Sequence, residues 1–159
     1  MLGTAIHTRL DTFANMPPFT VHCIDHVVLR VRDLERSVLF YEVVLGCAVE
    51  RRRPDLGLVH LRAGTSLIDL VDVNGRLGRP GGPAPGPDGR NVDHVCLRIH
   101  SFEERSLVRH LAAHSVEPRG PITQNFGAEG VGPSVYIEDP DGNVVELKGP
   151  AVGSGGSVV

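Results

Sequence analysis

The chain has no tryptophan, two tyrosines and five phenylalanines, so aromatic residues make up only 4% of it. That scarcity argues against a groove that traps flat ligands by stacking them on rings. Cysteines number three, at Cys23, Cys47 and Cys96. An odd count at no metal-ligand spacing points to reduced thiols and a cytoplasmic protein. No apolar run approaches the roughly 20 residues of a membrane span, so no membrane partner is expected. The first residues, Met1 to His7, lack the basic start and apolar core of a signal peptide. A net charge of −3 gives no electrostatic reason to expect nucleic acid.

What remains is ordinary for a globule: 159 residues, 41% hydrophobic and 22% charged, enough for one domain with a real core. Residues 1–20 hold Pro17-Pro18 and no apolar periodicity, and read as a loose N-terminal arm. Residues 151–159, with Gly153-Ser154-Gly155-Gly156-Ser157, read as a flexible tail. Between them, 21–150 reads as a single domain of two modules, 21–73 and 92–150. The connector, 74–91, is crowded with glycine and proline and suits neither helix nor strand.

The two modules are copies. Asp25-His26-Val27-Val28-Leu29-Arg30-Val31 returns as Asp93-His94-Val95-Cys96-Leu97-Arg98-Ile99, five of seven positions identical at an offset of 93 − 25 = 68. At the same offset Asp33 maps onto Ser101, and both residue types cap helices. Alternation makes Ile24–Val31 a strand, with His26, Val28 and Arg30 on one side and Val27, Leu29 and Val31 on the other. A helix follows from Asp33 to about Leu45, with Gly46 as its stop. Short antiparallel strands are expected at 47–52, 57–62 and 66–73. In the second module the strand is 92–99, Ser101 to Glu104 reads as a capping box, and strands follow near 116–119, 135–138 and 144–148. The expected fold is α+β: two β-α-β-β-β modules forming a curved sheet around a metal-centred cleft.

The last strands align as well, Ser66-Leu67-Ile68-Asp69-Leu70 with Asn143-Val144-Val145-Glu146-Leu147. Each places one carboxylate inside an apolar strand, a costly position that tends to mark function. His26 and Asp69 from one half thus answer His94 and Glu146 from the other. Two neutral imidazoles and two carboxylates balance a divalent cation and suit Fe, Mn, Co, Ni or Zn better than Ca or Mg.

These residues resemble the vicinal oxygen chelate superfamily, which includes glyoxalase I, extradiol dioxygenases and fosfomycin- and bleomycin-resistance proteins. The resemblance covers about 21–150. It rests on Asp25 to Leu29, on Phe40-Tyr41-Glu42-Val43-Val44-Leu45-Gly46, on Asp93-His94-Val95 and on Asp139-Pro140-Asp141-Gly142-Asn143-Val144-Val145-Glu146. It implies a metal held by His26, His94 and Glu146, with open positions where a small substrate chelates through two neighbouring oxygens. It also implies a homodimer. The leading expectation is a glyoxalase I-like lyase or isomerase in which Asp69 or Glu146 moves the proton beside the carbonyl. An Fe(II) ring-cleaving dioxygenase is the alternative enzyme, and a drug-binding resistance protein the non-enzymatic one. Asp69 departs from the Glu or Gln of glyoxalase-like members. One methylene shorter, it falls back by about 1.5 Å, which favours a base reaching the ion through water over a direct ligand. Its bland alternative is an acid facing solvent or paired with Arg62.

Other residues carry weaker expectations. Arg30 and Arg98 share the histidine faces and read as rim salt bridges more than as grips for an anionic substrate. Cys96 reads as a small packing residue beside the cleft. His60, His100, His110 and His114 lack a repeat partner of their own type and read as surface or satisfied residues. Gly127 to Gly132 follows no clear strand and opens no helix, so it reads as a flap rather than a phosphate loop.

Overall fold

The computed structural model describes residues 17–153, so most of the expected N-terminal arm and C-terminal tail lies outside the described residues. Strand β1 (His26–Val31) is rich in β-branched residues and alternates as its sequence requires: Leu29 and Val31 are fully buried, while His26 and Val28 are exposed. Helix α1 (Leu34–Val43) starts at Asp33, whose carboxylate accepts the Arg36 N–H at 3.0 Å. It is followed by Gly46 at φ +70°, a left-handed turn that glycine makes without strain. Strands β2 (Val49–Arg53), β3 (Leu58–Ala63) and β4 (Ser66–Asp72) complete a sheet of order β1-β4-β3-β2. Its last strand returns parallel to β1, and the other neighbours are antiparallel.

The second module repeats this order with β5 (Val95–Arg98), α2 (Glu104–Ala113), β6 (Thr123–Gly127), β7 (Gly130–Glu138) and β8 (Val144–Lys148). The fold is two β-α-β-β-β modules, as the repeat required. Local details differ. The segment 116–119 is not a strand; the polar stretch Thr123 to Gly127 takes that place, held as an edge by pairing with β7. The expected flap at Gly127 to Gly132 is the β6–β7 hairpin, closed where Gly127 pairs with Gly130. Helix α2 is capped by Glu103 rather than Ser101, its carboxylate accepting the Ser106 N–H at 2.8 Å.

A single apolar core joins the modules, with Leu29, Tyr41, Leu61 and Ile68 from the first and Leu111, Val135, Ile137 and Leu147 from the second. A polar clamp reinforces it. The β7–β8 hairpin, Asp139 to Asn143, docks along α1: Asp139 Oδ2 accepts the Tyr41 hydroxyl at 3.1 Å, and Asp141 Oδ2 accepts that of Ser37 at 3.1 Å. Burial raises the Asp139 carboxyl above the ordinary aspartate range and the Tyr41 phenol well above its own. Asn91, just before β5, hydrogen-bonds the N–H and C=O of Arg30 and the side chain of Asn143, so it fastens β1 to the second module.

Among the described residues Arg30 makes no rim salt bridge. Its guanidinium donates to the carbonyls of Gly81, Gly82 and Pro83 and holds the connector against β1. A side chain at 81 would put a Cβ 2.5 Å from that guanidinium, so the guanidinium would have to shift from its present position. Arg98 does form the expected salt bridge, to Glu129 at 2.8 Å. The cysteines Cys23, Cys47 and Cys96 are free thiols. No helix among the described residues is long and apolar enough to cross a membrane.

Candidate functional site

Strand register shows that the two carboxylates are true equivalents. Asp69 on β4 stands beside Val28, two residues past His26, and Glu146 on β8 stands beside Cys96, two residues past His94. Each sheet therefore presents a histidine and an acid on one face, on adjacent parallel strands about 4.8 Å apart.

In the second module the pair is closed, with His94 Nε2 3.2 Å from Glu146 Oε2. The other ring nitrogen, Nδ1, lies 2.8 Å from Asp93 Oδ2. Burial alone would raise the Glu146 carboxyl, but the polar groups around it, Asn125 and Tyr136 among them, outweigh burial and hold the group below the ordinary glutamate range. Asn125 Nδ2 binds both the Tyr136 hydroxyl at 2.9 Å and Glu146 Oε1 at 3.4 Å. The Tyr136 ring meets His94 edge to face, with centroids 5.6 Å apart. Burial, and then the Glu146 charge, push the Cys96 thiol up to about 11, so it is a neutral neighbour and no nucleophile at pH 7.

In the first module His26 Nδ1 lies 2.7 Å from Asp25 Oδ1, the same arrangement as His94 with Asp93. That hydrogen bond raises the His26 pKa; desolvation opposes it, and the charges of Asp69 and Asp25 add smaller upward contributions. Asp69 neither faces solvent nor pairs with Arg62. It is buried on a central strand and bonds His60 Nδ1 at 2.7 Å, while Arg62 binds Glu50 at 3.2 Å.

A family model described as the Glyoxalase/Bleomycin resistance protein/Dioxygenase superfamily matches residues 23–147. The chain belongs to that superfamily. Among its relatives is the glyoxalase domain-containing protein RDO1 of Mycosarcoma maydis, 30% identical over 129 residues that cover 80% of this chain and 68% of that protein. Virulence protein STM3117 of Salmonella typhimurium is 32% identical over 126 residues, covering 78% of this chain and 81% of its own. The solved structure of a lactoylglutathione lyase from Agrobacterium tumefaciens superposes with a TM-score of 0.60 at 25% identity, covering 82% of this chain and 95% of that one.

Glyoxalase-superfamily members typically use divalent metals, and the donors here fit one. An imidazole whose Nδ1 is held by a carboxylate offers Nε2 as a ligand in a fixed orientation, the usual support of a metal-bound histidine. Both His26 and His94 have that support. Within one chain, His94 and Glu146 come together and His26 stands with Asp69. Among the described residues no three His, Cys, Asp or Glu side chains form one metal-binding group. His26 and His94 line a common groove of about 630 Å³ with Leu67, Cys96 and Arg98.

The structure brings three more residues to the candidate acids: His60, read from the sequence only as surface or satisfied, and Tyr136 and Asn125, which the sequence did not single out. His60 and Tyr136 are equivalent, each in register with the acid of its own sheet. They differ in type and their offset is 136 − 60 = 76, not 68, because the loops differ in length. Alternation around His60 was the one available signal, since it falls on the same face of β3 as Leu58 and Arg62.

Proposed function

We propose that this chain is a divalent-metal-dependent lyase or isomerase of glyoxalase type, acting on a small molecule with vicinal oxygens. Its site combines the first-module face of one copy with the second-module face of another. The observation that carries this reading is the matched pair of Asp–His couples, 2.7 and 2.8 Å, each on the open face of a half-sheet beside a buried acid. The division of donors supports assembly across a homodimer: each sheet presents one half of the set, and among the described residues the outer edges of β1 and β5 pair with no strand.

His26, His94 and Glu146 would hold the ion, of the Fe, Mn, Co, Ni or Zn kind. When bound, such an ion polarises the chelating oxygens and stabilises negative charge on them. The protein's own groups do the rest. The polar surroundings of Glu146, with Asn125 donating to Oε1, hold its carboxyl below the ordinary range and so favour the ionised form. Asp69 fixes His60 through Nδ1 and leaves Nε2 as the free nitrogen, so the two form a unit that can accept a proton beside a carbonyl. A second reading, an Fe(II) ring-cleaving dioxygenase, is supported by this same commitment of Asp69 to His60. It leaves two histidines and one carboxylate as ligands, the facial triad of non-haem iron oxygenases.

Metal titration tests the proposal. Wild type should bind about one divalent ion per chain, and His26→Ala and His94→Ala should each lose most of that affinity. Mixing the two variants should restore about a quarter of wild-type occupancy, because half the pairs are mixed and each mixed pair has one intact site. Unchanged stoichiometry in both variants would remove the metal site. Loss without recovery on mixing would place it in one chain. A screen of 2-oxoaldehyde thiohemiacetals and catechols then separates the two chemistries.

A further inference from the structure

Strand β2 carries three consecutive arginines, and two are spoken for. Arg52 pairs with Glu35 at 2.7 Å, and Arg53 grips Asp55 through two bonds of 2.9 and 2.7 Å. Arg51 has no hydrogen-bond or ion-pair partner among the described residues, and it lies directly opposite His60. A β-bulge puts it there. Val49 pairs with Leu61 and Arg51 with His60, so Glu50 is the extra residue. Without the bulge, Glu50 alone would stand against His60 and Asp69 and would repel any anion. With it, Glu50 is drawn off to Arg62 and Arg51 takes the position. Bulges commonly re-aim a side chain at the edge of a site in this way.

The other cations of the two open faces are already engaged. Arg62 pairs with Glu50, Arg98 with Glu129 and Arg53 with Asp55. Arg30 donates to the carbonyls of Gly81, Gly82 and Pro83. Lys148, buried on the Glu146 face, donates to those of Asn125 and Gly132. Arg51 is left as the guanidinium of the first-module face with no partner among the described residues.

We propose that the substrate of this site carries a carboxylate beside its chelating oxygens, and that Arg51 is the residue that grips it. This rests on the metal-site reading above. The reach is adequate: Arg51 is two strands from Asp69, about 10 Å between backbones, and an arginine arm spans roughly 6 Å of that. Its planar fork suits a carboxylate through two parallel bonds.

Two probes that differ only in the distal group test it: 2-oxoglutarate, and 2-oxopentanoate, which ends in a methyl group. Each is titrated by calorimetry into the full chain loaded with Mn(II). Wild type should bind 2-oxoglutarate about 10- to 100-fold more tightly, the range for a hydrogen bond to a charged group. The preference should shrink as salt rises. Arg51→Gln should abolish it, Arg51→Lys should keep part of it, and Arg52→Gln, altered on the neighbouring but already paired residue, should keep all of it. Mn(II) affinity measured in the same proteins separates the two proposals. Metal binding with equal affinity for both probes, or a preference that survives in Arg51→Gln, overturns the role of Arg51 and leaves the metal site standing. Failure to bind metal overturns the metal site and this inference with it.

Discussion

Removing the Asp139 carboxylate should loosen the two modules from each other. The group accepts four hydrogen bonds: Oδ1 from the N–H of Asp141 and Asn143 at 2.9 and 2.8 Å, and Oδ2 from Tyr41 at 3.1 Å and Asn143 Nδ2 at 2.8 Å. In Asp139→Ala three of these donors stay buried without a partner, since Tyr41 and Asn143 are 0% and 4% exposed. An orphaned buried polar group costs about 1–3 kcal/mol. The gain from no longer burying a carboxylate, visible in its raised pKa, offsets part of that. The net loss should be about 3–5 kcal/mol, or a fall in Tm of roughly 10–15 °C for a domain of this size. Asp139→Asn keeps the shape but turns a donor toward Asn143 Nδ2 or Tyr41, and should lose about half as much. Chemical denaturation of both variants, with Tyr41→Phe to complete a double-mutant cycle, measures the coupling across the interface. A loss below about 1 kcal/mol in Asp139→Ala, or additivity with Tyr41→Phe, would mean that the apolar core alone joins the modules.

Two further outcomes follow from the site and from α2. Asp69→Ala should leave metal bound while turnover on any substrate found drops by roughly 10²–10⁴-fold, as for a lost general base; an affinity loss as deep as that of Glu146→Ala would make Asp69 a ligand instead. Hydrogen bonds from the Ser106 hydroxyl and N–H hold the Glu103 carboxyl below its ordinary value. Its contribution to stability is therefore full above that ordinary value and is lost as pH falls through the lowered one. Melting wild type and Glu103→Gln across that acid range should show the difference between them shrinking to nothing, whereas a constant difference would show that ionisation of the cap does not matter.

Much of the protein was legible from local patterns. The repeated seven residues, each followed by a helix, required two copies of one module. Alternation put His26 and His94 on open faces because a strand turns its side chains every second residue, whatever surrounds it. The acid inside each last strand stood out because an apolar strand rarely tolerates one. Register then confirmed Asp69 and Glu146 as equivalents.

Partnership across strands was not legible. His60 meets Asp69 only because β3 and β4 pair in one register, and loops of different length hide its kinship with Tyr136 from any fixed offset. Arg30 and Arg98 look identical in sequence. One reaches a carboxylate and the other a row of carbonyls, because the connector passes one module and the β6–β7 hairpin the other. Glu103 displaced Ser101 as the cap because the first turn begins two residues later than the repeat implied. The three arginines of β2 are indistinguishable as sequence; a one-residue bulge decides which faces the open side. Local chemistry set which residues could act, through periodicities that belong to the backbone. Tertiary structure alone set their partners, since those contacts depend on register and loop length, and neither has a local signature.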